Sequence, residues 1–297
     1  MDRFATRRTA VDNLLISVII PTYNRAWCLE RAIGSVLAQQ RACTELIVVD
    51  DGSTDDTAAL VARLASDAPI PIRLLVQDNR GAAAARNLGI SQARGALLAF
   101  LDADDWWLPR KLALQAAAME AAPETLVSHT REIWFRHGQR VNQKKKHDPP
   151  HGDIFAASLG MCVVGMSTVM VRRQLFDRYG LFDATLPCCE DYDLWLRVGC
   201  REAFFLVPES LTGKDGGRPD QLSVIHRMGM DRYRIRSLDT LIASGVLTPA
   251  QHRAAVAELA RKCTIYGQGC IKHGRPEEGR RYLELADRYH SAKGHHS

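Results

Sequence analysis

Apolar residues in the first third of the chain fall in short runs separated by amphipathic stretches. Residues 14–20 (LLISVII) and 45–49 (ELIVV) are β-branched runs of buried-strand length. Between them Leu29, Ala32, Ile33, Val36 and Leu37 recur at helical spacing and form one apolar stripe. Further strands are expected at 72–77 (IRLLVQ) and 96–101 (ALLAFL), with helices near 56–65 and 82–93. Strand and helix alternating over short connections predict β-α-β units, a parallel sheet and an α/β fold class. In such sheets ligands bind at the carboxyl ends of the strands.

Those ends are polar here. PTYNR (21–25) follows the first strand, DDGSTDDT (50–57) the second and DADDWW (102–107) the fourth. The middle is less regular, with a polar, Lys- and Pro-rich loop at 137–153. Residues 154–171 are uncharged and of membrane length, but contain Gly160, Gly165 and three hydroxyl residues. They read as a buried helix running into a strand at 167–171, and a helix is expected from Glu190 onward. Beyond about residue 230 the pattern is all helical, and 263–289 resembles a single tetratricopeptide hairpin around a His-Gly turn.

Composition narrows the classes. With 297 residues, 46% hydrophobic and 25% charged, the chain is globular, one large domain or a domain with an appendage. A formal charge of +5 suits an anionic substrate or an acidic membrane surface and is too weak for nucleic acid. The eight cysteines include no C-x-x-C pair, and adjacent Cys188 and Cys189 suit neither a disulfide nor zinc, so a reduced, cytoplasmic chain is expected. No secretory cleavage pattern precedes Pro21, no phosphate-binding P-loop occurs, and the histidines, including the GHHS tail, suggest no metal site.

The candidate chemistry lies at the strand ends. Asp102 and Asp104, two apart, point the same way on an extended chain, and paired carboxylates there call for a cation such as Mg²⁺ or Mn²⁺. Asp105 has a bland alternative as cap of a helix beginning at Pro109. Asp50 and Asp51 read equally as turn residues or as acceptors for a nucleoside's N–H and hydroxyl groups. Tyr23 is placed to stack on a base, and Arg86, the lone charge on an alanine-rich helix, suits a phosphate or base. Glu190, Asp191 and Asp193 open a helix that Leu194, Trp195 and Leu196 bury at once, and an acid beside an apolar wall gains the proton affinity of a general base. Lys214 and Arg218 lie in a Gly-rich stretch, 213–223, that reads as a loop able to close over a diphosphate.

Five segments in order, SVIIPTYNR, ELIVVDDGSTDDT, RGAAAARNLGI, FLDADDWW and EDYDLWLR, resemble the family 2 glycosyltransferases over about residues 16–200. The resemblance implies a GT-A fold, a three-layer α/β/α sandwich with a mainly parallel sheet. It divides the chain into a transferase domain at 14–228 and a helical extension at 229–297. Within the domain, 14–107 would bind the donor and 108–228 the acceptor. It further implies an inverting transfer from a nucleotide-diphosphate sugar, UDP-linked by expectation, assisted by Mn²⁺ or Mg²⁺. Carried over by motif, Pro21, Thr22, Tyr23, Arg25, Asp50 and Asp51 would surround the nucleoside. Arg86, Asp102, Ala103, Asp104, Glu190 and Arg218 would complete the nucleotide-sugar site. Asp104 or Asp105 would hold the metal, Asp191 would be the general base, and Arg218 and Ser223 would form a late loop over the diphosphate. The pattern departs from relatives in lacking a late histidine ligand, since Lys214 stands nearby and His226 comes later.

A glycan, lipid-linked or other hydroxyl acceptor is expected, with peripheral membrane contact and a homodimer through the C-terminal helices as further expectations. The rivals are a sugar nucleotidyltransferase, which would need a Gly-rich phosphate loop after the first strand, and a degenerate, non-catalytic scaffold.

Overall fold

A computed structural model describes residues 14–291. The chain runs β1 (Ile16–Thr22), α1 (Ala26–Leu37), β2 (Glu45–Asp50), α2 (Thr57–Ser66), β3 (Ile72–Val76), α3 (Ala82–Gln92) and β4 (Leu97–Phe100). It continues through β5 (Trp106–Trp107), α4 (Lys111–Ala121), β6 (Val127–Arg136), β7 (Gln139–Val141), α5 (Phe155–Gly160), β8 (Met170–Arg172), α6 (Gln174–Tyr179), α7 (Glu190–Gly199) and β9 (Phe204–Gly216). The last elements are α8 (Leu222–Ile225), α9 (Met230–Ala243), α10 (Pro249–Lys272) and α11 (Pro276–Ser291).

One sheet runs in the order β3-β2-β1-β4-β8-β6-β9-β5, with β7 paired to β6. β1 through β4 are parallel, as the alternation predicts, whereas β8 is antiparallel to both β4 and β6. Side-chain alternation along these strands divides the core into two layers. Ile19, Ile47, Leu98 and Phe100 pack on one face with Ala85 of α3 and Leu194 and Trp195 of α7. Val18, Ile20, Leu46 and Val48 pack on the other with Leu29 and Ile33 of α1 and Leu112 of α4. Helices therefore cover both faces, and strands buried on both sides explain the unbroken apolar runs.

A third apolar cluster joins α5 and α7 to the C-terminal helices, through Tyr192 and Leu196 against Leu238, Leu259 and Cys263. α10 and α11 cross around the His273–Gly274 turn, where a Cβ on Gly267 would lie 2.8 Å from the Gly279 carbonyl oxygen, so only glycine permits that approach. The GHHS tail lies outside the described residues.

Several expectations are corrected. The aspartates at 102–105 sit on a turn closed by the Asp105 amide on the Asp102 carbonyl (3.0 Å), so they do not share one side of an extended chain. Asp105 does not cap α4, which begins at Lys111 without a side-chain cap. The tryptophans form β5 and pair with Thr212 and Gly213, so the first four residues of the expected loop, 213–216, extend β9. The glycine there has a steric reason, since a Cβ on Gly213 would fall 2.1 Å from the Trp106 indole. Residues 166–168 make a single 3₁₀ turn ahead of a strand shortened to Met170–Arg172. No helix among the described residues is long and apolar enough to cross a membrane.

Candidate active site

The carboxyl ends of β1, β2 and β4 open into a cleft of about 740 Å³ that also receives the start of α7, the end of β9 and the start of α9. Pro21, Thr22, Tyr23, Arg25, Asp51, Arg86, Asp102, Ala103, Asp104, Asp105, Glu190, Asp191, Lys214 and Ser223 all line it. Two predicted residues stand outside that lining. Asp50 is buried and accepts a hydrogen bond from the Ser53 amide (2.9 Å), which fixes the turn after β2. Arg218 reaches the site by pairing with two lining acids, Asp104 and Asp220. His226 also stands away, its ring 6.2 Å from that of Tyr233.

At the β1 end of the cleft Tyr23 is half exposed, and the buried Thr22 hydroxyl has no partner among the described residues. Asp51 is buried and accepts from Gln77 Nε2 (2.6 Å) and the amides of Arg80 (2.9 Å) and Gly81 (2.8 Å). Those bonds occupy three of a carboxylate's roughly four acceptor positions, so Asp51 both pins the loop before α3 and keeps one position for a ligand.

The acids of the β4 turn separate to different partners. Asp102 accepts from Arg86 Nη2 (2.7 Å), and its amide donates to Ser167 Oγ (3.1 Å). Asp105 is buried and accepts from the Ser167 hydroxyl (2.6 Å). Burial holds the Asp105 carboxyl well above the usual carboxylate range; Lys214 opposes the rise and the charges of Asp104 and Asp102 add to it. Asp104 accepts from Arg218 and from Gln221 Nε2 (3.2 Å), both through Oδ2.

Arg86 is no surface arginine. It is buried, and its second nitrogen donates to Glu190 Oε1 (2.5 Å). One guanidinium thus ties the β4 turn to the start of α7. Burial raises the Glu190 carboxyl despite Arg86, and the neighbouring Asp191 charge adds to the rise. Asp193 accepts from Arg197 Nε (2.9 Å) and turns away into structure. Asp191 faces the cleft, with Cys162 Sγ donating to Oδ2 (3.2 Å) and the Tyr192 amide to Oδ1 (2.7 Å). Burial and the Asp191 charge hold the Cys162 thiol well above its ordinary value, which keeps it the donor.

Lys214 projects from β9 into the same space, 3.7 Å from Glu132 Oε1. The Glu132 charge, with those of Asp105, Asp102 and Asp191, raises the Lys214 ammonium against its own desolvation, so it remains cationic. Ser167, Cys162 and Glu132 carry no local sequence pattern that marks them; only the folded sheet brings them here. Neither tryptophan lines the cleft, since Trp107 is buried with Nε1 donating to the Ser167 carbonyl (2.7 Å) and Trp106 packs on Phe135.

Among the described residues no cluster of three or more His, Cys, Asp or Glu side chains is arranged for a metal. One carboxylate is nonetheless a sufficient protein share for Mg²⁺ or Mn²⁺ when phosphate oxygens and water complete the sphere. Asp104 fits that role, because its Oδ1 makes no hydrogen bond among the described residues and its Oδ2 is held by a mobile type of partner, an arginine side chain.

Residues 17–180 match the model of Glycosyl transferase family 2. An uncharacterized glycosyltransferase of Rickettsia felis is 36% identical over 204 residues, 66% of this chain and 32% of the relative, so the chain spans about a third of that protein. The Escherichia coli UDP-Glc:alpha-D-GlcNAc-diphosphoundecaprenol beta-1,3-glucosyltransferase WfgD is 32% identical over 192 residues, 63% of this chain and 71% of the relative. Among solved structures, the mannosyltransferase PcManGT from Pyrobaculum calidifontis, in complex with GDP-Man and Mn²⁺, superposes with a TM-score of 0.64 over 92% of this chain and 75% of that one. At 19% identity this likeness establishes the shared GT-A fold and nothing finer. The family model covers more than half of the sequence, and the chain belongs to glycosyl transferase family 2.

Proposed function

We propose that this glycosyltransferase moves a sugar, with inversion, from a UDP-linked donor to a hydroxyl of a lipid-linked glycan acceptor. The observation that carries the reading is the Arg86 bridge, 2.7 Å to Asp102 and 2.5 Å to Glu190, which brings Asp104 and Asp191 to one cleft. Tyr23, Thr22 and Asp51 supply an aromatic face, a free hydroxyl and an acceptor position for a nucleoside. The donor and acceptor classes follow those in the name of the Escherichia coli relative.

The acceptor oxygen attacks the anomeric carbon from the face opposite the diphosphate, and Asp191 takes its proton. The bond from that carbon to the diphosphate oxygen breaks, and the electron pair leaves with the nucleotide. Cys162 orients the Asp191 carboxylate through Oδ2. Lys214, Arg218 and Arg25 bring positive charge toward the departing diphosphate. A divalent cation on Asp104, with Asp105 the alternative ligand, would supply further charge neutralisation when bound.

The test is nucleotide release and thermal shift with UDP-glucose, UDP-N-acetylglucosamine and GDP-mannose, each with and without Mn²⁺. A UDP-sugar is expected to stabilise the protein and release UDP in a metal-dependent way. Stabilisation by none of these donors would favour the scaffold reading. Release that a chelator leaves unchanged would remove the metal.

A further inference from the structure

The segment that follows β9 carries an apolar surface that the fold leaves uncovered. α8 reads Leu-Ser-Val-Ile and buries none of its residues. Leu222, Val224, Ile225 and Met228 are 43%, 42%, 60% and 71% exposed, a concentration of open apolar side chains within one short segment. Trp27, on α1, is also exposed, and its ring sits 4.9 Å from the guanidinium of Arg218, four residues before Leu222. Single exposed apolar residues need no explanation, but a contiguous group of large ones marks an interaction surface.

The charge around this group is one-sided. Residues 221–230 contain no Asp or Glu, and Arg227 is exposed without an ion pair among the described residues. The two acids that flank this stretch are already paired, Asp220 with Arg25 (2.8 Å) and Arg218 (3.4 Å) and Asp231 with Arg234 (3.2 Å) and Lys262 (3.5 Å). An open apolar group edged by a free cation and lacking acids is complementary to an anionic lipid surface. There the apolar side chains enter the acyl boundary and the guanidinium meets phosphate. The same segment is the rim of the cleft, since Leu222, Ser223 and Ile225 also line it.

We infer that residues 222–228, with Trp27, dock the protein on an anionic bilayer and turn the mouth of the cleft toward the headgroup layer. Docking stands on the surface alone; delivery of a lipid-borne acceptor into the cleft rests on the transferase reading above.

The experiment uses the full chain with vesicles of phosphatidylcholine alone and of phosphatidylcholine mixed with phosphatidylglycerol. The protein is expected to sediment with the mixed vesicles and to be released by salt. The double variant Val224→Asp/Met228→Asp should weaken binding about tenfold or more, and Arg227→Glu about fivefold. None of these three side chains lines the cleft, so UDP release in the absence of vesicles should match the wild type in both variants. Circular dichroism confirms folding, and Arg227→Glu decides the matter if the double variant misfolds. Wild-type protein that ignores mixed vesicles, or variants that bind them as well as wild type, would overturn the inference. So would variants that split a dimer while vesicle binding is unchanged, which would assign the face to a second copy. Vesicle binding without any UDP release would leave the docking standing and remove the transferase reading.

Discussion

Two acid-rich segments meet at Arg86, a turn at Asp102–Asp105 and a helix start at Glu190–Asp193, and they sort their carboxylates alike from different local structures. On the turn, Asp105 faces inward to Ser167 and Asp102 pairs with Arg86, while Asp104 meets the cleft through a displaceable arginine. On the helix, Asp193 binds Arg197 and Glu190 binds Arg86, while Asp191 meets the cleft beside Cys162. Each segment thus uses two acids as anchors and leaves one facing the cleft. The difference lies in the support. The helix start orients Asp191 by backbone geometry and a favourable dipole, whereas the turn depends on side-chain bonds from Ser167. Spacing in sequence paired Asp102 with Asp104 and left Glu190, Asp191 and Asp193 undivided; their partners sort both groups differently.

Removing the shared anchor should have the largest effect. Arg86→Met leaves the buried Glu190 and the part-exposed Asp102 without their shared partner, and loss of one partner of a buried pair destabilises by about 3–5 kcal/mol. Urea unfolding should register a loss of that order, and a loss below about 1 kcal/mol would mean the bridge does not hold the two segments together. Ser167→Ala tests the turn alone. It removes the hydroxyl that serves both the Asp102 amide and the Asp105 carboxylate, a change of about 1–3 kcal/mol. The expected signature is a raised donor KM with a smaller change in kcat, while Ser167→Thr, which keeps the hydroxyl, recovers donor binding; equal loss in both variants would contradict it.

A smaller effect separates the segments by pH. Burial raises the Glu190 carboxyl above its ordinary value of 4.5. A raised folded-state value means that its contribution to stability is complete below 4.5 and is lost as pH rises through the folded value. Stability measured from acid toward neutral pH should therefore carry a downward component from this residue. Glu190→Gln, less stable overall, should lack that component, and an unchanged slope would show that Glu190 is not held in an unfavourable environment.

The first third of the chain was legible because its information is local. Apolar runs at β1, β2 and β4 and the stripe on α1 follow from periodicity within single elements, so the parallel sheet and its polar strand ends could be read directly. The rest depends on pairing between distant segments. β6 and β9 lie side by side with register shifts around Arg131, and polar residues such as Thr130 and Glu132 interrupt the apolar pattern. The glycines of 213–216 looked like loop residues, although they extend a strand that accommodates an indole. Asp51, Asp102, Asp104, Asp191 and Glu190 were identifiable as acids at strand and helix ends. The anchors Ser167 and Cys162 were not, because a hydroxyl or thiol inside an apolar stretch has no pattern until the fold supplies its carboxylate. Asp50 and Asp51 were indistinguishable by position, and separated only when one faced the turn and the other the cleft.

Asp191 and Asp104, which line the cleft without an Arg86 anchor, divide its proposed chemistry between base and donor site. The most direct measurement is single-turnover sugar transfer beside donor affinity in Asp191→Asn, with Asp104→Asn as its counterpart. Asp191→Asn is expected to bind UDP-sugar like the wild type but to transfer about 10²–10⁴-fold more slowly, while Asp104→Asn loses metal-dependent donor affinity. Near-normal transfer by Asp191→Asn would contradict this division.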